Sequence, residues 1–71
     1  MIAKKLNKVA GYRAMLELTQ EELGRKLGMS KQQYSYKERG LSNFNDKEKQ
    51  KFKEILTPFF PGITIDDIFF D

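Results

Sequence analysis

Residues 19–40 read TQEELGRKLGMSKQQYSYKERG and decide the fold. A capping box occurs twice in them, as Thr19-Gln20-Glu21-Glu22 and as Ser30-Lys31-Gln32-Gln33. In this pattern the hydroxyl of the first residue accepts a first-turn backbone N–H, and the fourth side chain reaches back to the N–H of the cap. The segment therefore predicts two short helices that follow each other closely.

The residues between the two caps predict a tight crossing. A small residue, Gly24, lets the second helix approach the first, and Gly28 permits a turn with positive φ that a Cβ would obstruct. The apolar side chains at this crossing are Leu23, Leu27, Met29 and Tyr34. This arrangement is typical of a helix-turn-helix, whose second helix must stand out far enough to enter a major groove about 12 Å wide.

The rest of the chain carries further helix signals. A first helix is predicted over about 4–18, with Leu6, Val9, Ala10 and Tyr12 on its apolar stripe. Caps at Asn45 and Thr64 begin a fourth helix that ends near Leu56 and a last short one, with Ile63-Thr64-Ile65 left as an alternative strand. We predict one all-α domain over 1–71 with about five helices and the helix-turn-helix at about 19–39.

Composition excludes several classes of protein. The 71 residues include no cysteine and no histidine, so disulfides and Cys or His metal sites are excluded, as is histidine acid–base chemistry. Asp66-Asp67 reads as a helix cap rather than as a catalytic pair. No apolar run reaches the roughly 18 residues that span a bilayer, and the start does not read as a secretory signal. We expect a cytoplasmic protein that is not an enzyme, with no cofactor and no membrane partner.

Charge is distributed unevenly along the chain. Residues 1–40 hold nine basic and four acidic side chains, whereas residues 59–71 hold three aspartates and no basic residue. This asymmetry suits a protein that turns one face to a polyanion. A sequence pI near 9.3 is also ordinary for a small lysine-rich domain, so charge alone leaves both interpretations open.

Four segments together resemble the Cro/C1-type (XRE) helix-turn-helix regulators, in particular small phage and Gram-positive ones. They are residues 18–23 (LTQEEL), 28–30 (GMS), 34–40 (YSYKERG) and 63–70 (ITIDDIFF). The resemblance extends over roughly residues 6–70. It implies a five-helix, lambda-repressor-like DNA-binding domain that acts as a sequence-specific transcriptional regulator on double-stranded DNA.

The resemblance also implies roles for individual side chains. The implied DNA-binding residues are Gln20, Ser30, Lys31, Gln32, Ser35, Tyr36, Arg39 and Asn43. Lys31, Gln32 and Tyr36, with Ser35, would face base edges, while Ser30 and Gln20 would contact phosphates. Asn43 and the backbone N–H groups of loop 40–45 would contact the neighbouring phosphates. Arg13 and Glu38 match the interior ion pair of the family.

Each of these roles has a plainer alternative. Lys31, Gln32 and Gln33 would also suit a solvated helix face, and Arg13 and Glu38 would also suit unrelated surface charges. The chain departs from the family at Lys37, where an aliphatic residue is usual, and at Lys49, a usually apolar site. It departs also at Gly24, which replaces alanine at a cost of about 0.5–1 kcal/mol of helix stability.

A second function remains open on the same scaffold. The chain would act as an antirepressor or modulator that binds a partner repressor. The expected protein assemblies are a homodimer or a heterocomplex with another repressor. The candidate protein interface comprises Met15, Leu16, Tyr36, Phe69 and Phe70, because the chain has more aromatic residues than so small a core requires. Closure of the core beneath the fourth helix by Phe59, Phe60 and Phe69 is the competing explanation.

Overall fold

A computed structural model describes residues 7–70, and within them the chain forms five helices and no strand. They are α1 (Lys8–Met15), α2 (Gln20–Lys26), α3 (Lys31–Glu38), α4 (Asp46–Leu56) and α5 (Ile65–Phe69). This confirms the predicted all-α, five-helix fold. Over the same residues no helix has the length and apolar character to span a bilayer.

Capping boxes begin four of the five helices. The caps are Thr19 with Glu22, Ser30 with Gln33, Asn45 with Glu48 and Thr64 with Asp67, and both reciprocal hydrogen bonds are present in each. The predicted starts of α2 to α5 are therefore confirmed. The alternative strand at 63–65 is wrong, because Thr64 is engaged as the N-cap of α5.

The first helix is shorter than predicted at both ends. Asn7 is its N-cap, since its side chain accepts the N–H of Ala10 at 3.0 Å, so the helix begins at Lys8. At the other end Glu17 has a φ of 57°, which breaks the helix before the predicted limit at Leu18. Leu6, predicted for the apolar stripe, lies outside the described residues.

The core lies between α2, α3, α4 and α5. Its buried residues are Leu23, Leu27, Tyr34, Phe44, Phe52, Leu56, Ile63 and Ile68. No residue of α1 is fully buried, and Val9 and Tyr12 of the predicted stripe pack against the core from outside. The ring of Tyr12 meets Phe60 edge-on, with the ring centroids 5.6 Å apart. The helix-turn-helix therefore rests on a core that α4 and α5 complete.

The crossing of α2 and α3 is as close as the small residue at position 24 suggested. A Cβ built on Gly24 would lie 3.0 Å from the Cβ of Tyr34 and 3.3 Å from the carbonyl oxygen of Met29. Gly28 has a φ of +80°, and the N–H of Met29 donates to the carbonyl of Gly24 at 2.9 Å. These contacts fix the angle at which α3 leaves the body of the molecule.

Candidate nucleic-acid interface

One face of α3 is open to solvent. Lys31, Gln32 and Tyr36 are exposed, Tyr36 to 43% of its surface, and Arg39 is exposed just after the helix. The opposite face is buried through Tyr34 and Glu38. The predicted base-reading side chains therefore point away from the core, whereas Ser35 is only half-exposed at the edge of this face.

Three of these side chains contact one another along the open face of α3. The side-chain amide of Gln32 donates to the hydroxyl of Tyr36 at 3.4 Å. The guanidinium of Arg39 lies 5.4 Å from the centre of the Tyr36 ring, within the range of a cation–π contact. Gln32, Tyr36 and Arg39 thus form a connected row of polar and cationic groups.

The buried side of α3 is held by the carboxylate of Glu38, whose side chain is only 5% exposed. Arg13 donates to it through Nε at 2.7 Å and through Nη2 at 3.3 Å. The hydroxyl of Tyr34 donates at 2.7 Å, and the amide of Gln20 donates at 2.9 Å. A single carboxylate therefore joins α1, α2 and α3, which orients the exposed face of α3 relative to the first two helices.

Burial and hydrogen bonding have opposite effects on the pKa of Glu38. Burial on its own would raise the pKa of this carboxyl, but the hydrogen bonds from Arg13, Tyr34 and Gln20 outweigh it and lower the pKa. Burial, followed by the hydrogen bond to Glu38, raises the pKa of Tyr34. The hydrogen bond to Glu38 likewise raises the pKa of Arg13. Glu38 is therefore charged at neutral pH and Tyr34 keeps its proton.

Sequence reasoning missed two members of this cluster. The amide of Gln20, predicted to contact a DNA phosphate, is the group that donates to Glu38 in the free protein. Tyr34 was assigned to the core, yet its hydroxyl is a partner of the carboxylate. Because Tyr34 lies one helical turn before Glu38, the i, i+4 spacing was a signal for this contact.

Loop 40–45 lies beside the exposed face and is anchored at both ends. Gly40 has a φ of +83°, and the N–H of Leu41 returns to the carbonyl of Tyr36 at 2.9 Å. Phe44 is buried near the rings of Tyr34 and Phe52. Ser42 and Asn43 remain exposed. Asn43 is therefore accessible to a ligand that lies along α3.

The residues proposed for a protein interface are not equally accessible. Met15 is 60% and Phe70 52% exposed. Leu16 and Phe69 are half-buried and pack against the core, and the Phe69 ring lies 5.1 Å from that of Phe44. Among the described residues, the large apolar side chains exposed outside α3 are thus Met15, Leu41, Phe59 and Phe70, of which Met15 and Phe70 belong to the predicted interface.

A family model described as helix-turn-helix matches residues 9–48, which is more than half of the chain. The chain belongs to the XRE family of helix-turn-helix regulators. The match begins at the second residue of α1 and covers α2, α3 and loop 40–45. It therefore includes every side chain of the Glu38 cluster, which comprises Arg13, Gln20, Tyr34 and Glu38.

One relative of this XRE-type protein matches along nearly its whole length. An uncharacterized HTH-type transcriptional regulator of Methanocaldococcus jannaschii is 43% identical over 63 residues, which cover 89% of this chain and 88% of the relative. No solved structure matches significantly. The XRE-type chain is thus similar to a regulator of its own size, and its family and this relative identify it as a DNA-binding transcriptional regulator.

Proposed function

We propose that this XRE-type protein binds double-stranded DNA in a sequence-specific manner and places α3 in the major groove. The open face of α3, with Lys31, Gln32 and Tyr36, is the observation that carries the proposal. The Glu38 cluster supports it, because a rigid support holds reading side chains in one orientation and so lowers the entropy lost on binding.

The chemistry of the open face of α3 suits base edges. Glutamine pairs bidentately with the N6 and N7 positions of adenine, and lysine donates to the O6 and N7 acceptors of guanine. Gln32 and Lys31 are adjacent and exposed, so they would read neighbouring bases. Tyr36 lies one turn further along α3, where its ring would contact the next base edge. Ser35 is only half-exposed, so it would contact that base edge less directly.

Phosphate contacts would flank the reading face. Ser30 caps α3 with its hydroxyl, and Arg39 and Asn43 are exposed beyond the other end of the helix. Gln20 would take part by exchanging its hydrogen bond with Glu38 for one to a phosphate, or by using the second hydrogen of its amide. Contacts of this kind position the protein on the duplex and carry no sequence information directly.

A single domain of this size makes few contacts with DNA, so useful affinity requires two copies on two half-sites about 34 Å apart. Occupancy of such a site within a promoter would exclude the polymerase. We therefore infer a Cro-like repressor in a cytoplasmic, phage-type genetic switch.

The test begins with selection of duplexes from a random library, followed by titration at several salt concentrations. The association constant should fall linearly on a log–log plot, with a slope of about −0.9 per phosphate neutralised. Gln32→Ala should remove discrimination at one base pair, worth about 1–3 kcal/mol. The exposed Lys51 of α4 offers a matched control, since Lys51→Met removes a charge outside the predicted interface. Weak binding that does not depend on salt or on Gln32 would exclude the proposal.

The exposed Met15 and Phe70 favour one alternative, an antirepressor that binds a partner repressor through the α1 and α5 side of the molecule. Calorimetric titration of purified repressors from the same genome separates the two functions. An antirepressor should lose its partner on Met15→Ser or Phe70→Ser and keep it on Gln32→Ala. A DNA-binding regulator should show the opposite sensitivity in DNA titrations.

A further inference from the structure

Lys37 occupies the position in α3 at which an aliphatic residue was expected, and its charge is not directed to solvent. Its ammonium lies 2.6 Å from Oε1 of Glu48, in the first turn of α4. The two side chains are only 17% and 15% exposed. A largely buried ion pair therefore connects the last turn of α3 to the first turn of α4, across loop 40–45.

The same carboxylate oxygen also holds the end of the loop. Oε1 of Glu48 accepts the backbone N–H of Asn45 at 3.0 Å, while the N–H of Glu48 donates to the side chain of Asn45 at 2.7 Å. Lys37, the last residue of the loop and α4 thus meet at one oxygen. Movement of α4 away from α3 would break the ion pair, whereas the cap, which lies between Asn45 and Glu48, would move with α4.

The loop has few other constraints on its span. Its first turn is closed by the hydrogen bond from Leu41 to Tyr36, and Phe44 is buried in the core. Between them Ser42 and Asn43 are exposed. What the ion pair adds is a fixed distance between the two anchored ends, which sets the path of the exposed residues.

Net stability does not account for such a pair. Desolvation of two buried charges largely offsets their attraction, and an apolar pair of similar volume is often as stable or more stable. An aliphatic side chain at position 37 would fill the same space without a partner on α4. The pair therefore has a geometric effect on the loop that an aliphatic residue would not supply.

We propose that Lys37 is a positioning residue: held by Glu48, it fixes loop 40–45 in the path that presents Asn43 and the loop amides to a DNA phosphate, and it does not itself contact DNA. This inference rests on the proposed function, because it takes the DNA backbone as the ligand of the loop. If Lys37 contacted a phosphate directly, removal of the charge of Glu48 would free its ammonium and strengthen DNA binding. The proposal predicts that removal of this charge weakens DNA binding.

Two substitutions separate the pair from the cap. Glu48→Gln removes the charge but keeps an acceptor for the N–H of Asn45, since glutamine serves equally in a capping box. Lys37→Met keeps the length of the side chain without its ammonium. Glu22→Gln is the matched control for the first, because Glu22 has the same capping role in α2. Lys51→Met is the control for the second.

Two measurements on folded protein test the proposal. In the free protein, amide order parameters of residues 41–44 should fall from about 0.85 toward 0.6 in both pair variants and stay high in both controls. On the selected duplex, each pair variant should bind about three- to tenfold more weakly, and the double variant should be no weaker than the poorer single one. The salt slope should be unchanged in Lys37→Met.

Several results would overturn the proposed role of Lys37. Tighter binding by Glu48→Gln, or a slope reduced by about 0.9 in Lys37→Met, would show that Lys37 contacts a phosphate directly and would overturn the proposal. Unchanged order parameters and affinities would overturn it as well. A wild-type protein that binds no duplex would overturn the proposed function and this inference with it, whereas tight wild-type binding with insensitive variants would overturn this inference alone.

Discussion

Glu38 is the residue on which the orientation of α3 depends. Its carboxylate accepts hydrogen bonds from three side chains on three helices, and all three donors are oriented toward it. Removal of the carboxylate would leave the hydroxyl of Tyr34 buried without an acceptor and the charge of Arg13 without a partner. Loss of this carboxylate should therefore lower the stability of the fold and also change the orientation of α3.

We expect Glu38→Gln to lower the free energy of unfolding by about 2–4 kcal/mol at pH 7, because the amide keeps only one acceptor oxygen for these donors and leaves the charge of Arg13 without a partner. Urea denaturation measures the change. Tyr34→Phe removes one hydrogen bond at the same site and should cost about 1 kcal/mol. A loss below 1 kcal/mol in Glu38→Gln would contradict the role assigned to the cluster.

The pH dependence of stability follows from the lowered pKa of Glu38. A carboxyl whose pKa is lower in the folded state stabilises the fold above its ordinary pKa, 4.5, and loses that contribution as the pH falls through the folded value. Wild-type stability should therefore decrease on acidification below pH 4.5. Glu38→Gln should show a shallower decrease, and equal slopes for the two proteins would contradict the assignment.

Glu17 offers a test of backbone strain at the end of α1. A left-handed conformation costs an L-residue other than glycine about 1–2 kcal/mol, part of which glycine recovers. We expect Glu17→Gly to stabilise the fold by about 0.5–1 kcal/mol in urea denaturation. Glu17→Gln controls for the lost charge, and a gain of the same size in that variant would assign the effect to charge instead.

At the scale of helices, sequence patterns predicted starts better than ends. The capping boxes at positions 19, 30, 45 and 64 are local, so they were readable without a structure. The end of α1 was not readable, because Glu17 adopts a conformation for which the sequence offers no glycine signal. Lys37 and Glu48 are eleven residues apart in the chain and lie on different helices, so no periodicity within one helix predicts their contact.

The crossing of α2 and α3 provides a paired test on two helical glycines. A Cβ on Gly11 of α1 would meet nothing within 4 Å, whereas one on Gly24 would crowd Tyr34. Gly11→Ala should stabilise the fold by about 0.5–1 kcal/mol through helix propensity. Gly24→Ala should gain less, since the neighbouring backbone must move, and an equal gain in urea denaturation would show that the crossing is looser than the structure indicates.

At the scale of the whole molecule, two exposed surfaces differ in chemical character. The open face of α3 with loop 40–45 is mainly polar and cationic, with one exposed apolar residue at Leu41, while the α1 and α5 side carries exposed apolar groups at Met15 and Phe70. The sequence predicted the first surface through its resemblance to a family. The extent of the second surface could not be predicted from the sequence, because it depends on which aromatic residues pack in the core. Only the structure shows that Phe69 packs against Phe44 and Phe52.

Binding of DNA through α3 is tested most directly by a map of backbone amide chemical shifts during titration with the selected duplex. The largest changes should lie in α3 and in loop 40–45, with the side-chain amide of Gln32 among them, and α4 beyond its first turn should change little. Changes confined to α1 and α5 around Met15 and Phe70, with α3 unaffected, would contradict the assignment of α3 as the helix that reads DNA.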